Sequence, residues 1–150
     1  RAMRQAQPWF RIRRVDWHGN QPRIMAIRNR VFIEEQGVPP EEEEDGLDES
    51  CRFVLAEDGE GNPIDTARLL PSGKIGRLAV LEKHRHQGVG SALLNAVMDI
   101  AAESGLTAVY LHGQVHARQF YEKHGFSGSG PEFEEAGIPH LKMTRELPRH

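Results

Sequence analysis

The chain has one cysteine, Cys51, in 150 residues. No intrachain disulfide can form, which fits a reducing compartment. Long apolar runs are also missing. Nothing approaches the roughly 20 residues of a membrane span, and no signal-peptide pattern opens the chain, so no membrane association is expected and the cytoplasm is the default location. Neither sign of charge dominates: 19 lysines and arginines stand against 22 aspartates and glutamates, a formal net charge of −3. The basic excess of a nucleic-acid binder is absent. Five arginines fall within the first fourteen residues, but without the interleaved aromatics of a single-strand binder, and a solvated N-terminal face is expected there.

The length suits a single domain, 1–150, with residues 1–8 a flexible lead or partly an addition from cloning. Trp9 to Trp17 alternates apolar and polar and reads as a strand. Gly19, Asn20 and Pro22 punctuate, and Ile24, Ile27 and Val31 then recur at helical spacing, predicting a helix over Arg23–Gln36 that Gly37 and Pro39-Pro40 stop. Glu41–Glu49, EEEEDGLDE, lacks the alternate-ligand spacing of a calcium loop and is expected to be solvated, flanking a cationic substrate. Arg52–Glu57 and Pro63–Leu70 form a hairpin about Gly59 and Gly61, and Lys74–Leu81 follows as a third strand. A helix carrying Leu93, Leu94, Val97, Ile100 and Ala101 ends near Ser104-Gly105. Ala108–Leu111 is a short strand, Ala117–His124 a short helix and Leu141–Leu147 a last strand. The order β-α-β-β-β-α-β-α-β defines a mixed α/β domain.

The stretch Gly76 to Leu94, GRLAVLEKHRHQGVGSALL, organises the rest. An apolar strand passes through a glycine turn into a helix N-terminus, where unpaired backbone N–H groups and the positive end of the dipole favour an anion. Gly88 and Gly90 let a phosphate approach. A P-loop would need GxxxxGK[ST] and a dinucleotide fingerprint a third glycine; HRHQGVGS has neither.

Arg85-His86-Gln87-Gly88-Val89-Gly90 after the strand ending Leu78-Ala79-Val80 resembles the R-x-x-G-x-G acyl-CoA site of GNAT-superfamily N-acetyltransferases. The segment Ala117 to Phe126, ARQFYEKHGF, is similar to that superfamily's A-x-x-F-Y-E-K-x-G-F. VFIEEQGVP (Val31 to Pro39), the acidic run and FEEAGIPHLKM (Phe133 to Met143) resemble the small bacterial ElaA/YjcF-type branch. The resemblance covers about Arg28 to Met143. It implies an α/β fold with a central mixed, mostly antiparallel sheet, splayed at the acetyl-CoA cleft and flanked by helices.

It further implies that backbone groups of Leu78, Ala79 and Val80 meet the pantetheine arm, with the Val80 N–H facing the thioester carbonyl, where a donor stabilises developing negative charge. Arg85, His86, Gln87, Gly88, Val89, Gly90 and Ser91 would cradle the pyrophosphate. Tyr121 matches the tyrosine that protonates the departing thiolate. Many relatives carry a base glutamate on the strand before the turn, and Lys74-Ile75-Gly76-Arg77-Leu78 offers none. Candidates for the base are Glu35, His112 and His140, each of which also reads as an ordinary helix-end or strand-end residue. Arg52 stands where those relatives tend to carry histidine; lining the acceptor pocket, it would favour an anionic group on the acceptor, and facing solvent it would carry no meaning. An acyl-Cys51 route is disfavoured because Asp48 and Glu49 would raise the thiol's pKa. No metal is expected, since His112 and His116 lack the H-E-x-x-H context. The expected partner is a small-molecule primary amine and the expected state a monomer or homodimer. Direct transfer in a ternary complex competes with a regulatory acyl-CoA-binding module of the same fold.

Overall fold

The alternating N-terminal stretch folds as β1 (Phe10–Val15). A computed structural model describes residues 9–80 and 84–148. Residues 1–8 and Leu81, the expected end of the third strand, lie outside the described residues. After β1 come α1 (Trp17–Arg28), a π-helical segment (Asn29–Glu35) and the single-turn α2 (Pro40–Glu43). Strands β2 (Arg52–Asp58), β3 (Pro63–Leu69) and β4 (Lys74–Val80) lead to α3 (Val89–Glu103). The chain closes with β5 (Ala108–Gln114), α4 (Arg118–Lys123), β6 (Ser127–Glu135) and β7 (Ile138–Glu146).

Two expectations are corrected. The first helix starts at Trp17, ahead of the punctuating Gly19, Asn20 and Pro22. Its first turn is anchored tertiarily by Trp17 stacked on Phe53 of β2, with ring centroids 5.3 Å apart, and packing outweighs the low propensity of that run. The strand β6 has no counterpart in the expected order. Its sequence, SGSGPEFEE, is almost wholly exposed. An edge strand with one unburied face leaves no apolar alternation, and Pro131 suits an edge.

Among the described residues, seven strands form one sheet ordered β1-β2-β3-β4-β5-β7-β6, with β4–β5 the one parallel pairing. The sheet is mixed and mostly antiparallel, as the resemblance implied. A core lies on each face. Against one, α3 buries Val89, Leu93, Leu94, Val97, Ile100 and Ala101 over Val54, Ala67, Leu69 and Leu111; each fully buried aliphatic side chain contributes about 1.5–3 kcal/mol. Against the other, Ile24, Ile27 and Val31 cover Phe53, Leu55 and Ala79.

The acidic run is only in part the solvated loop expected: Glu41, Glu42, Glu44 and Glu49 are exposed, whereas Glu43 and Asp48 are buried. Arg28, fully buried, bonds Glu43 and also Asp48 at 2.7 Å. Arg68 of β3 bonds Asp48 at 2.9 Å and pairs with Asp45. Arg77 of β4 donates to the Glu43 carbonyl at 2.8 Å and lies 3.3 Å from Asp45 Oδ2. Three arginines meet three carboxylates, so most of the buried charge is matched within the cluster, while Glu43 Oε2, Arg68 Nε and Arg77 Nε have no hydrogen-bond partner among the described residues.

Candidate functional site

The site grows out of a defect in β4. Its parallel pairing with β5 covers only Lys74↔Tyr110 and Ile75↔Leu111. On its other edge, the ladder jumps from Thr66↔Ala79 to Arg68↔Gly76, so Ala67 of β3 faces both Arg77 and Leu78. Such a bulge bends a strand and sharpens its twist, and here it turns β4 away from β5 just past Ile75. Arg77 has a left-handed φ of 50°, costing on the order of 1–3 kcal/mol for a residue with a Cβ. Its guanidinium is held by the acidic run. The ion cluster therefore fixes the bulge, and the bulge opens the sheet.

On one face of this gap lies the N-terminus of α3. Gly88 caps it at φ 84°, and the first bond of the helix ladder runs from the Ala92 N–H to the Gly88 carbonyl at 3.1 Å. The N–H groups of Val89, Gly90 and Ser91 precede that ladder. Beyond its own chain neighbours, no heavy atom of the described residues lies within 4 Å of where a Cβ on Gly88 would sit, and the first turn contains no acidic residue. This donor set fits the pyrophosphate of an acyl-CoA. His86, with φ 63°, and Gln87 are exposed beside it. Ser91 Oγ is 2.9 Å from Nε2 of His124, whose pKa is lowered by burial and by Arg145. Arg85 forms an ion pair with Glu35 at the end of the π-helical segment. Leu78 packs on the α3-side core, Ala79 is buried on the opposite face, and Val80 pairs with Asp65.

Tyr121 of α4 occupies the same side. Its ring lies against Gly113 of β5, where a Cβ would come within 2.9 Å of Cε2. Burial pushes its phenol up to about 12, and the Asp65 carboxyl adds to the shift. Asp65 itself is fully buried.

On the other face, His112 is the first β5 residue beyond the last pairing with β4. Its Nδ1 is 3.1 Å from Glu135 Oε1 at the end of β6, and Phe133 meets its ring edge-on at 5.0 Å. His140 of β7 stacks on the same phenyl ring, its centroid 6.0 Å away. The Nδ1 of His140 is 2.6 Å from the Ile138 carbonyl and its Nε2 is 3.7 Å from Glu135 Oε2. The structure thus joins His112 and His140 through Glu135 and separates Glu35, which is committed to Arg85. Arg52 is exposed, with β3 and β4 between its strand and the gap. Cys51 is buried and its Sγ is 3.2 Å from the Leu47 carbonyl. Burial raises its thiol pKa first, with the Asp48 and Asp45 carboxylates adding to the shift against Arg68.

Sequence reading missed two groups. Glu135 was hidden with β6. Asp65 sits in a strand whose composition reads as core, and a lone carboxylate inside a buried strand was the available signal.

A splayed mixed sheet with a glycine-capped helix at the splay defines the acyl-CoA N-acyltransferase fold. Residues 21–147 match the acetyltransferase (GNAT) domain family, and the chain belongs to that family. It is 40% identical over 124 residues to the uncharacterized N-acetyltransferase YjcF of Bacillus subtilis, covering 80% of this chain and 88% of that one. The crystal structure of Escherichia coli ElaA superposes with a TM-score of 0.80 at 28% identity, over 91% of this chain and 99% of that one. A GNAT family acetyltransferase from Elizabethkingia anophelis with acetyl-CoA bound shares the fold, with a TM-score of 0.71 at 19% identity over 94% and 100% of the two chains.

Proposed function

We propose that the chain is an N-acetyltransferase that moves acetyl from acetyl-CoA to a primary amine of a small molecule by direct transfer in a ternary complex. The observation that carries this reading is the β4–β5 gap. Tyr121, seated on Gly113, flanks it on one face, and His112, tethered by Glu135, flanks it on the other. An acceptor entering on the histidine side meets the thioester from the side opposite Tyr121. The amine nitrogen bonds the acetyl carbon, the carbon–sulfur bond breaks, and the sulfur takes the Tyr121 proton. His112 takes the proton the amine loses. With its Nδ1–H directed at Glu135, its Nε2 lone pair is free for that task, as in other carboxylate-oriented imidazoles. His140 has one nitrogen on a carbonyl and the other toward Glu135, so it supports the carboxylate. The Val80 N–H supplies the donor for developing negative charge on the acetyl oxygen. The free Cys51 thiol and the need for acetyl-CoA support a cytoplasmic setting.

Thiol release from acetyl-CoA across an amine panel tests the reading. Release that appears with an acceptor and falls about 100-fold in Tyr121→Phe, with acetyl-CoA affinity by calorimetry unchanged, is the expected outcome. Tight acetyl-CoA binding without acceptor-dependent release over a broad panel would sink it, leaving a non-catalytic acyl-CoA-binding module.

A further inference from the structure

Asp65 lies on β3 directly opposite Val80 of β4, at the strand position that borders the expected thioester site. It is fully buried. Its Oδ1 accepts the Thr66 N–H at 2.6 Å, and its Oδ2 has no hydrogen-bond partner among the described residues. A buried carboxylate without a bonded counter-ion is costly, and the uncharged acid is the cheaper form. Burial accordingly drives its pKa well above the ordinary value, against the Thr66 N–H and the charge of Arg85. Few groups surround it. The facing residue on β2 is Ala56, and α3 carries no titratable side chain between Val89 and Met98. Among the described residues, the charged and titratable groups in electrostatic reach are Arg85, itself paired with Glu35, and Tyr121 of α4. Both belong to the donor side of the gap.

We propose that Asp65 is a positioning residue of the donor cleft, acting by its charge on Tyr121 and Arg85. The proposal rests on the acetyl-transfer reading of that cleft. Uncharged, Asp65 leaves the Tyr121 proton available to the departing sulfur and adds no second carboxylate to Glu35 in competition with the pyrophosphate for Arg85. Charged, it disfavours the phenolate, draws Arg85 inward and repels the phosphates. The donor is therefore bound and consumed by the Asp65-neutral form, and rising pH switches the site off through this one group.

The test compares wild type with Asp65→Asn, which keeps the shape and removes the charge. In wild type, kcat/KM for acetyl-CoA is expected to fall with rising pH in a one-proton step that is absent from Asp65→Asn. In a Tyr110→Phe background, which leaves Tyr121 as the only tyrosine, Asp65→Asn is expected to move the phenol titration to lower pH. Identical pH profiles together with an unmoved phenol would overturn the proposal. Carbon-13 titration of Asp65 in the aspartate-labelled wild-type chain needs no substitution. Adding CoA is expected to move its titration upward, and an unmoved signal at saturating CoA also counts against the proposal. Should no amine support turnover, the phenol and carbon-13 arms still decide the role of Asp65, so the two readings fail separately.

Discussion

Gly113 of β5 and Tyr121 of α4 touch more closely than any side chain at position 113 would permit, for a Cβ would lie 2.9 Å from Cε2 and 3.0 Å from Cδ2 of the ring. The same Cβ would meet Leu111 Cδ1 at 3.1 Å. Gly113→Ala should therefore push the ring off its seat. Overpacking of this kind costs about 1–3 kcal/mol, and the displaced hydroxyl is expected to cut turnover at least tenfold. Thermal unfolding and CoA release, measured together, check both; unchanged turnover would mean that the ring position is irrelevant to the chemistry.

Removing the base should separate His112 from His140. His112→Gln is expected to lower kcat about 100-fold with acetyl-CoA affinity intact, the usual scale for a lost proton acceptor. Glu135→Gln should lower it less, because the carboxylate orients the imidazole without receiving the proton. His140→Gln is expected to change stability more than kcat. Steady-state kinetics of the three variants decide, and a large kcat loss confined to His140→Gln would reverse the assignment.

The cluster under the bulge gives a stability prediction. Arg28→Met leaves Glu43, 2% exposed, without its buried partner. Stranding a buried charge costs about 3–5 kcal/mol, whereas an apolar replacement of the whole pair is often tolerated. Urea unfolding should show that loss for Arg28→Met and a partial recovery in Arg28→Met combined with Glu43→Leu. Acetyl-CoA affinity is expected to fall with the single substitution, because the Arg77 bulge loses its support.

Asp45 makes the same cluster sensitive to acid. Burial alone would raise its pKa, but the Arg68 hydrogen bond, the Leu47 N–H and the charges of Arg68 and Arg77 hold it well below the usual 3.8. The folded state thus binds this proton less readily than the unfolded chain. Its contribution is present above pH 3.8 and is lost progressively as pH falls below it. Asp45→Asn should be less stable at neutral pH and show a shallower acid decline. Urea midpoints at neutral pH and on either side of that value check it; parallel curves would exclude a role for Asp45.

The period of apolar residues placed α3, β2, β3 and the start of β4, because those elements bury one face or both and their composition records it. The glycine turn was equally legible. Gly88 needs its left-handed φ of 84° to begin α3, and that requirement is local. The turn by itself therefore indicated an anion site at the start of α3, while the wider donor assignment, Leu78 to Val80 and Arg85 to Ser91, came from the resemblance to the acetyltransferase family. β6 was not legible, since an exposed strand of glycine, proline and glutamate carries no periodic signal.

What tertiary structure alone decided is which charges meet. Arg28 reaches Glu43 over 15 residues, Arg68 reaches Asp45 over 23, and Arg85 reaches Glu35 over 50. None of these pairs follows from spacing along the chain, because each joins residues of different elements that only packing brings together. The acidic run consequently reads as solvent-facing throughout in sequence, whereas in the fold Glu43, Asp45 and Asp48 engage the arginines and the remaining glutamates stay exposed. Periodicity and turn chemistry determined the strand–turn–helix around Gly88 because both are local. The gap between β4 and β5 required the bulge at Arg77, the register with β3 and the cluster beneath it to form at once, and only the folded chain contains all three.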